Sequence, residues 1–296
     1  MTKTTHWTNS AWQKAQKPFS LSLLVAVYNK VDFFRKVFAS IEVQSLQNFE
    51  LVICDDGSSE QSQAELRALL KDSKIPTQHI WHSDQGVRKT EILNWGVIHS
   101  KSDYLVSIDG DCVLHPQFLE DHHSHREPGA VLAGRRMDLN SWVTDLLTEQ
   151  KIRSGYIQKN LWWIIPLISY MKDNNGPKGI RIANEEWRQR FNEKPREIVG
   201  CNFSVYKKDL EAINGYDNRY HHGLGVGEDS DIDFRLRLNG VKIKAFCHLG
   251  IQYHLYHPLR DRGNENELIF QQVKNNRQAK SEIGIQEMLA SSVPPT

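Results

Sequence analysis

The sequence predicts an α/β domain with a mainly parallel central sheet flanked by helices, a helical insert and a short C-terminal extension, and three observations carry that prediction. From Phe19 to about Gly134, short β-rich apolar runs alternate with helical patterns, the rhythm of βαβ units. The apolar runs are nearly continuous, as strands buried on both faces require. They end in polar loops at Tyr28-Asn29, Asp55-Asp56 and Asp109-Asp111, and in an open parallel sheet such loops converge outside the carboxyl ends of the strands.

Leu21 to Val27 reads as the first strand, and the helix after it, Val31 to about Ser45, carries Phe34, Val37, Phe38 and Ile41 at helical spacing. Phe49 to Cys54 is the second strand and runs into Asp55-Asp56-Gly57-Ser58-Ser59, a loop by its polar residues and glycine. A helix over Gln61 to Lys71, a strand over Thr77 to His82, a helix over Arg88 to His99 and a strand over Tyr104 to Ile108 complete this half. Residues 135–196 lose the alternation and are expected to form a helical insert over the site. Residues 197–263 are expected to form an acceptor and catalytic half. They hold a strand near Glu197 to Tyr206, the glycine-rich loop Gly223 to Gly227, and strands near Lys242 to Cys247 and Gly250 to Tyr253. Residues 1–18 read as an arm, 19–134 as the nucleotide-binding half, and 264–296 as a polar helix with a frayed end.

The chain has 296 residues, with Lys+Arg 37 against Asp+Glu 36. That balance excludes the broad basic field of a nucleic-acid binder. Four cysteines without a CxxC pair read as reduced thiols of a cytoplasmic protein. Residues 1–18 lack the apolar region of a signal peptide. The longest apolar run, Leu161 to Ile168, is too short to span a bilayer. Its tryptophans, with Lys159 and Lys172 on either side, instead suit a peripheral contact through residues 157–172 with the inner face of the cytoplasmic membrane. A helix packed on the sheet explains the same run.

Asp109-Gly110-Asp111 is the sharpest local signal. Two carboxylates one residue apart at a strand end repel each other unless a cation lies between them, and oxygen ligands of this kind suit Mg²⁺ or Mn²⁺ holding a diphosphate. A solvated loop is the plainer reading. Asp55 and Asp56 equally suit an Asx-turn, and Glu228, Asp229 and Asp231 suit a helix N-terminus. His122, His123 and His125 read as a helix surface.

Taken together, the ordered runs Val25 to Lys30, Cys54 to Ser58, Gln85 to Asn94 and Ile108 to Cys112 resemble the family 2 glycosyltransferases of GT-A fold. Farther on, Gly200 to Ser204 and Gly227 to Asp231 resemble the galactosyltransferase-type C-terminal region of β-1,4-galactosyltransferases and chondroitin polymerase. The resemblance implies an inverting enzyme that moves a hexose or N-acetylhexosamine from a UDP-sugar to a glycan or lipid-linked acceptor, in surface polysaccharide or lipopolysaccharide synthesis. It implies donor contacts from Ala26, Tyr28, Asn29, Asp56, Arg88, Asn94, Asp109 and Gly110, with Tyr28 stacking on uracil and Asp56 accepting its N3 proton. Lys89, beside Arg88, reads as a surface charge.

Mn²⁺ or Mg²⁺ is expected on Asp109 and Asp111 with His254 or His257, imidazole favouring Mn²⁺. Asp229 is implied as general base, with Glu228 binding acceptor or sugar, and Asn202, Gly227 and Asp231 on the acceptor side. The family's aromatic residue before Glu-Asp is missing from Gly223 to Gly227, which leaves Trp162 or Trp163 as a substitute ring for the acceptor. A non-catalytic nucleotide-sugar or glycan-binding module on the same fold is the alternative, but it has no need of a base opposite a metal. A nucleotidyltransferase would carry a glycine-rich phosphate loop near its first strand, and Ala26-Val27-Tyr28-Asn29 is not one.

Overall fold

Seven residues, Leu21–Val27 (β2), form the middle of the molecule because their side chains are wanted on both faces of a sheet. Leu21, Leu23 and Val25 enter one core with Phe34, Val37, Phe38 and Ile41 of the helix Val31–Ile41. Leu24 faces the other core, with Ile92, Leu93 and Val97 of the helix Lys89–His99. Full burial of each such side chain contributes roughly 1.5–3 kcal/mol. The computed structural model describes residues 4–171, 176–220, 227–258 and 265–292.

Ten further strands are seen among these residues: β1 (Thr4–Thr8), β3 (Phe49–Asp55), β4 (Thr77–His82), β5 (Tyr104–Asp109), β6 (Cys112–Leu114), β7 (Ala130–Ala133), β8 (Arg136–Asp138), β9 (Asn202–Tyr206), β10 (Lys242–Ala245) and β11 (Gln252–His254). The large sheet has the order β1-β4-β3-β2-β5-β9-β7-β10, and β6-β11-β8 form a small second sheet. β4, β3, β2 and β5 are mutually parallel. β9 runs antiparallel to both β5 and β7, so the sheet is mixed.

Several expectations need correction. The arm contains an edge strand, β1, antiparallel to β4, and Trp12 Nε1 donates to buried Glu50 at 2.9 Å. The insert is not wholly helical, since Arg136–Asp138 pairs with β11. The strands expected near 242–247 and 250–253 are present as β10 and β11, in different sheets. The tail helix divides into Glu265–Asn275 and Ile285–Ser292. His122 is buried rather than on a helix surface, its ring bonded to Ser204 Oγ at 2.7 Å and Asn202 Oδ1 at 3.2 Å. Burial pushes its pKa down to about 4, so it is a neutral core residue. Residues 293–296, Lys172 and most of the glycine-rich loop, Gly223 to Val226, lie outside the described residues.

The helix Lys89–His99 meets the sheet at Gly96, where a Cβ would lie 2.5 Å from Cys54 Sγ. That close approach sets the helix on β3 and aims its first residue at the strand ends.

Candidate active site

The carboxyl ends of the four mutually parallel strands β2, β3, β4 and β5 deliver residues to one cavity of about 500 Å³, a size that suits a small ligand. Ala26, Val27 and Tyr28 follow from β2, Asp56 from β3, Asp84 and Gly86 from β4, and Asp109, Gly110 and Asp111 from β5. Lys89, Arg136, Tyr220, Glu228, His254 and His257 complete most of the wall. Gly110 is required where β5 leaves the sheet. A Cβ there would lie 2.8 Å from Val27 Cγ1 and 3.0 Å from the Ala26 carbonyl oxygen that Gly110 N–H donates to.

The two aspartates of the Asp-Gly-Asp run have different side-chain partners. Asp109 Oδ1 lies 2.9 Å from Lys89 Nζ, and the same ammonium lies 2.9 Å from Glu228 Oε1. Burial alone would depress the Lys89 pKa, yet the two carboxylates lift it well above the ordinary lysine value. Lys89 is therefore a cation of the cavity wall, not of the surface.

Asp111 turns to the histidines instead. His257 Nε2 lies 3.1 Å from one of its oxygens and His254 Nε2 3.6 Å from the other. Against burial, the two imidazoles hold the Asp111 carboxyl well below the usual carboxylate range. Asp138 Oδ1, 3.1 Å from His254 Nδ1, fixes that ring from behind, as second partners of metal-binding histidines do. Against burial, Asp111 and Asp138 raise the His254 pKa to about 9. Ligand atoms of Asp111, His254 and His257 all lie within 4.8 Å of one another, and a carboxylate with two imidazoles is a donor set for a first-row divalent ion. Both histidines enter this set. Asp109 does not.

Glu228 and Asp229 begin the helix Glu228–Leu238, and the two environments differ. Against burial, Lys89 holds Glu228 below the usual carboxylate value. Burial, then the adjacent Glu228, push Asp229 up. The Asp229 carboxylate accepts the Gly200 N–H at 3.2 Å. Gly227 caps this helix, and a Cβ there would lie 2.7 Å from Asp229 Oδ1. Neither Gly227 nor Asp229 lines the cavity among the described residues.

At the far end of the wall, Tyr28 is exposed and its hydroxyl donates to Asp84 Oδ2 at 3.1 Å. Asp56 accepts from His82 Nε2 at 2.8 Å and from the Arg88 backbone N–H at 3.1 Å on each oxygen.

Five residues expected to contact ligands have partners within the protein. Asn29 ties two loops together, accepting Ser59 N–H while its own N–H donates to Ser58 Oγ, both at 2.8 Å. The Arg88 guanidinium is turned to Glu91 and the Ser83 carbonyl. Asn94, fully buried, bonds the backbone of Tyr216. Asn202, also fully buried, donates to Arg135 O and Gly250 O. Asp231 is paired with buried Arg235 at 2.7 Å and with the Tyr220 hydroxyl. Trp162 and Trp163 do not line the cavity.

With this geometry in place, the chain was compared with known proteins. Residues 22–187 match the model of glycosyl transferase family 2. The chain belongs to that family. Residues 180–258 match a second model, described as the N-terminal domain of galactosyltransferase. The chain is 24% identical over 268 residues to the chondroitin synthase of Pasteurella multocida (strain Pm70), covering 85% of this chain and 26% of that protein. It is 20% identical over 235 residues to the validoxylamine A glucosyltransferase of Streptomyces hygroscopicus subsp. jinggangensis (strain 5008), covering 75% of this chain and 52% of the other. It thus spans a quarter to a half of these relatives.

Among solved structures, the mannosyltransferase PcManGT from Pyrobaculum calidifontis, in complex with GDP-Man and Mn²⁺, superposes with a TM-score of 0.53 at 12% identity, covering 96% of this chain and 70% of that one. S. aureus TarS 1-349 in complex with UDP-GlcNAc gives 0.53 at 13%, covering 90% and 68%. The fold is GT-A.

Replacing Lys89 tests the bridge. Lys89→Met leaves Asp109 and Glu228 facing each other without their cation, at an expected cost of about 2 kcal/mol or more near pH 8 in urea unfolding. Glu228 has a depressed pKa in the folded chain, so its share of stability is present above the unfolded glutamate value and lost as pH falls through the folded one. The deficit of Lys89→Met must therefore shrink in acid. A deficit that stays constant with pH would show that the ammonium does not hold these carboxylates.

Proposed function

We propose that the chain is a metal-dependent, inverting glycosyltransferase that moves a hexose or N-acetylhexosamine from a UDP-sugar to a glycan acceptor in surface polysaccharide or lipopolysaccharide synthesis. The observation that carries this reading is that one cavity joins a metal-type triad, a Lys89-bridged acid pair and an aromatic–aspartate end for a base. The TarS structure that holds UDP-GlcNAc and the PcManGT structure that holds GDP-Man and Mn²⁺ are consistent with such a donor and ion.

Asp111, His254 and His257 are the residues to hold Mn²⁺ or Mg²⁺, whose positive charge offsets the negative charge gathering on the departing diphosphate. Tyr28 offers its ring face to the uracil and Asp56 a carboxylate to its imide N–H. Ala26, Gly110 and Asp109 lie where the ribose, diphosphate and sugar must pass between those two ends. Lys89 holds Asp109 and Glu228 in place as hydroxyl acceptors.

In the transfer, the acceptor oxygen forms a bond to the anomeric carbon while the bond from that carbon to the diphosphate oxygen breaks on the opposite face. The hydroxyl proton passes to Asp229. Of the two adjacent acids, Asp229 has the raised pKa and Glu228 the depressed one, and the group with the greater proton affinity is the better base near neutral pH.

A peripheral site is proposed at the inner face of the cytoplasmic membrane, supported by Trp162 and Tyr170, 77% and 93% exposed on the helix Leu161–Met171. Such rings favour the membrane interface. No helix among the described residues is long and apolar enough to cross a membrane.

Three outcomes test these assignments. The chain should release UDP slowly from a UDP-hexose or UDP-N-acetylhexosamine, and Asp229→Asn should abolish transfer while keeping donor binding. For wild type, kcat/KM should fall on the acid side at a pH above the ordinary aspartate range. A raised carboxyl pKa means that the ionised group costs stability above that pKa, so Asp229→Asn should melt no lower than wild type at neutral pH. Normal transfer by Asp229→Asn would refute the base assignment.

EDTA should abolish activity and Mn²⁺ restore it. In calorimetry, His254→Ala should lose Mn²⁺ binding, and full activity in EDTA would rule out a metal role. Wild type should sediment with anionic vesicles and Trp162→Ser less so. Absence of wild-type sedimentation would rule out the membrane contact.

A further inference from the structure

His82 lies at the end of β4, its side chain 1% exposed, directly behind the cavity-lining Asp56. Because a carboxylate only accepts, the 2.8 Å contact to Asp56 Oδ1 makes His82 Nε2 the proton donor. The Arg88 N–H divides between both oxygens. Of about four acceptor sites on a carboxylate, these bonds use most of Oδ1 and leave capacity on Oδ2.

On the other side of the imidazole, Nδ1 is buried without a hydrogen bond and lies 3.8 Å from Glu91 Oε1. Glu91 is in turn held by the Arg88 guanidinium at 3.1 Å. Asp56, Glu91 and Arg88 are thus the charged groups around the ring. Two acids against one cation favour a donating imidazole, and burial is outweighed, so that the His82 pKa is raised.

We infer that His82 is the positioning residue of the base subsite: its Nε2–H holds the Asp56 carboxylate in one orientation, so that Oδ2 selects a pyrimidine with an imide N–H. The inference rests on the proposed placement of the uracil at Asp56. Uracil offers a donor at N3, whereas cytosine offers a lone pair there. A carboxylate that can only accept bonds the first and repels the second. If Asp56 turned away, it would lose that discrimination, and the imidazole behind it holds the carboxylate in place. Asp56 therefore has two roles, closing the start of the helix Lys89–His99 through Arg88 N–H and facing the ligand, and His82 is what lets one carboxylate perform both.

The experiment is calorimetric binding of UDP and CDP to wild type, Asp56→Asn, His82→Leu and His82→Gln, with donor kinetics alongside. His82→Leu should weaken UDP binding by about tenfold or more, the order expected for a lost bond to a charged group. It should narrow the preference for UDP over CDP, and raise KM with kcat little changed. His82→Gln, whose amide reaches to the place of Nε2, should recover most of the preference.

A purely structural histidine would lower the melting temperature while leaving the UDP-to-CDP ratio alone. That ratio unchanged in His82→Leu, with Asp56→Asn losing it, overturns this inference and spares the base assignment. UDP affinity unchanged in Asp56→Asn removes the base assignment itself, and this inference with it. If His82→Leu does not fold, His82→Asn against His82→Gln decides the same question: both side chains are polar, but only the longer reaches Asp56, so equal UDP-to-CDP ratios in the pair overturn the inference.

Discussion

The ammonium of Lys89, 2.9 Å from both Asp109 and Glu228, is the contact on which the cavity depends. It joins the carboxyl end of β5 to the first turn of the helix Glu228–Leu238, two segments more than a hundred residues apart in the chain. Without it, two partly buried carboxylates would be left on one wall with no cation between them, and like charges repel more strongly there than in water. Its own position is set by packing well away from the charges. Gly96 lets the helix Lys89–His99 lie close on β3, and Asp56 and Arg88 N–H fix where that helix begins.

The same bridge divides the work of two neighbouring acids. Glu228 touches the ammonium and is stabilised as an anion, while Asp229 feels burial and the negative charge of Glu228. Adjacent carboxylates in one helical turn would otherwise titrate alike. Environments that push two acids apart are how a site obtains a permanent anion and a proton acceptor from the same chemistry. Gly227 contributes by having no side chain, since a Cβ there would press on Asp229.

Much of this was legible in the sequence. The strands from Leu21 to Ile108 and the convergence of their polar ends follow from continuous apolar runs cut by Asp, Asn and Gly, a local signal that needs no tertiary information. β1 was not legible because its residues Thr4 to Thr8 carry no apolar run and become a strand only when the edge of β4 offers hydrogen bonds. The orientation of β9 was hidden for a similar reason, since pairing direction is a property of the whole chain path. Asn94, Asn202 and Asp231 look like ligand contacts in a motif, yet each is buried with its bonds satisfied internally. Burial of a polar group is a tertiary fact that spacing does not report. Lys89 and His82 went unrecognised for the opposite reason: a lysine at a helix start and a histidine in a strand have many ordinary explanations. The available signal was the number of carboxylates due to meet in one crevice, which called for cations to accompany them.

The same balance of charges explains how Asp109 and Asp111 coexist. Their proximity suggested one ion shared between them, but each has its own partner, Lys89 for the first and the His254–His257 pair for the second. Separate partners let the two acids differ in function while only Gly110 divides them. Asp109 is tied through Lys89 to Glu228, and Asp111 to a donor set that matches a divalent ion. Were the proposed divalent ion held by one carboxylate and two imidazoles, it would keep more of its positive charge uncancelled than between two aspartates, and the Lys89 contact is what would hold Asp109 away from it.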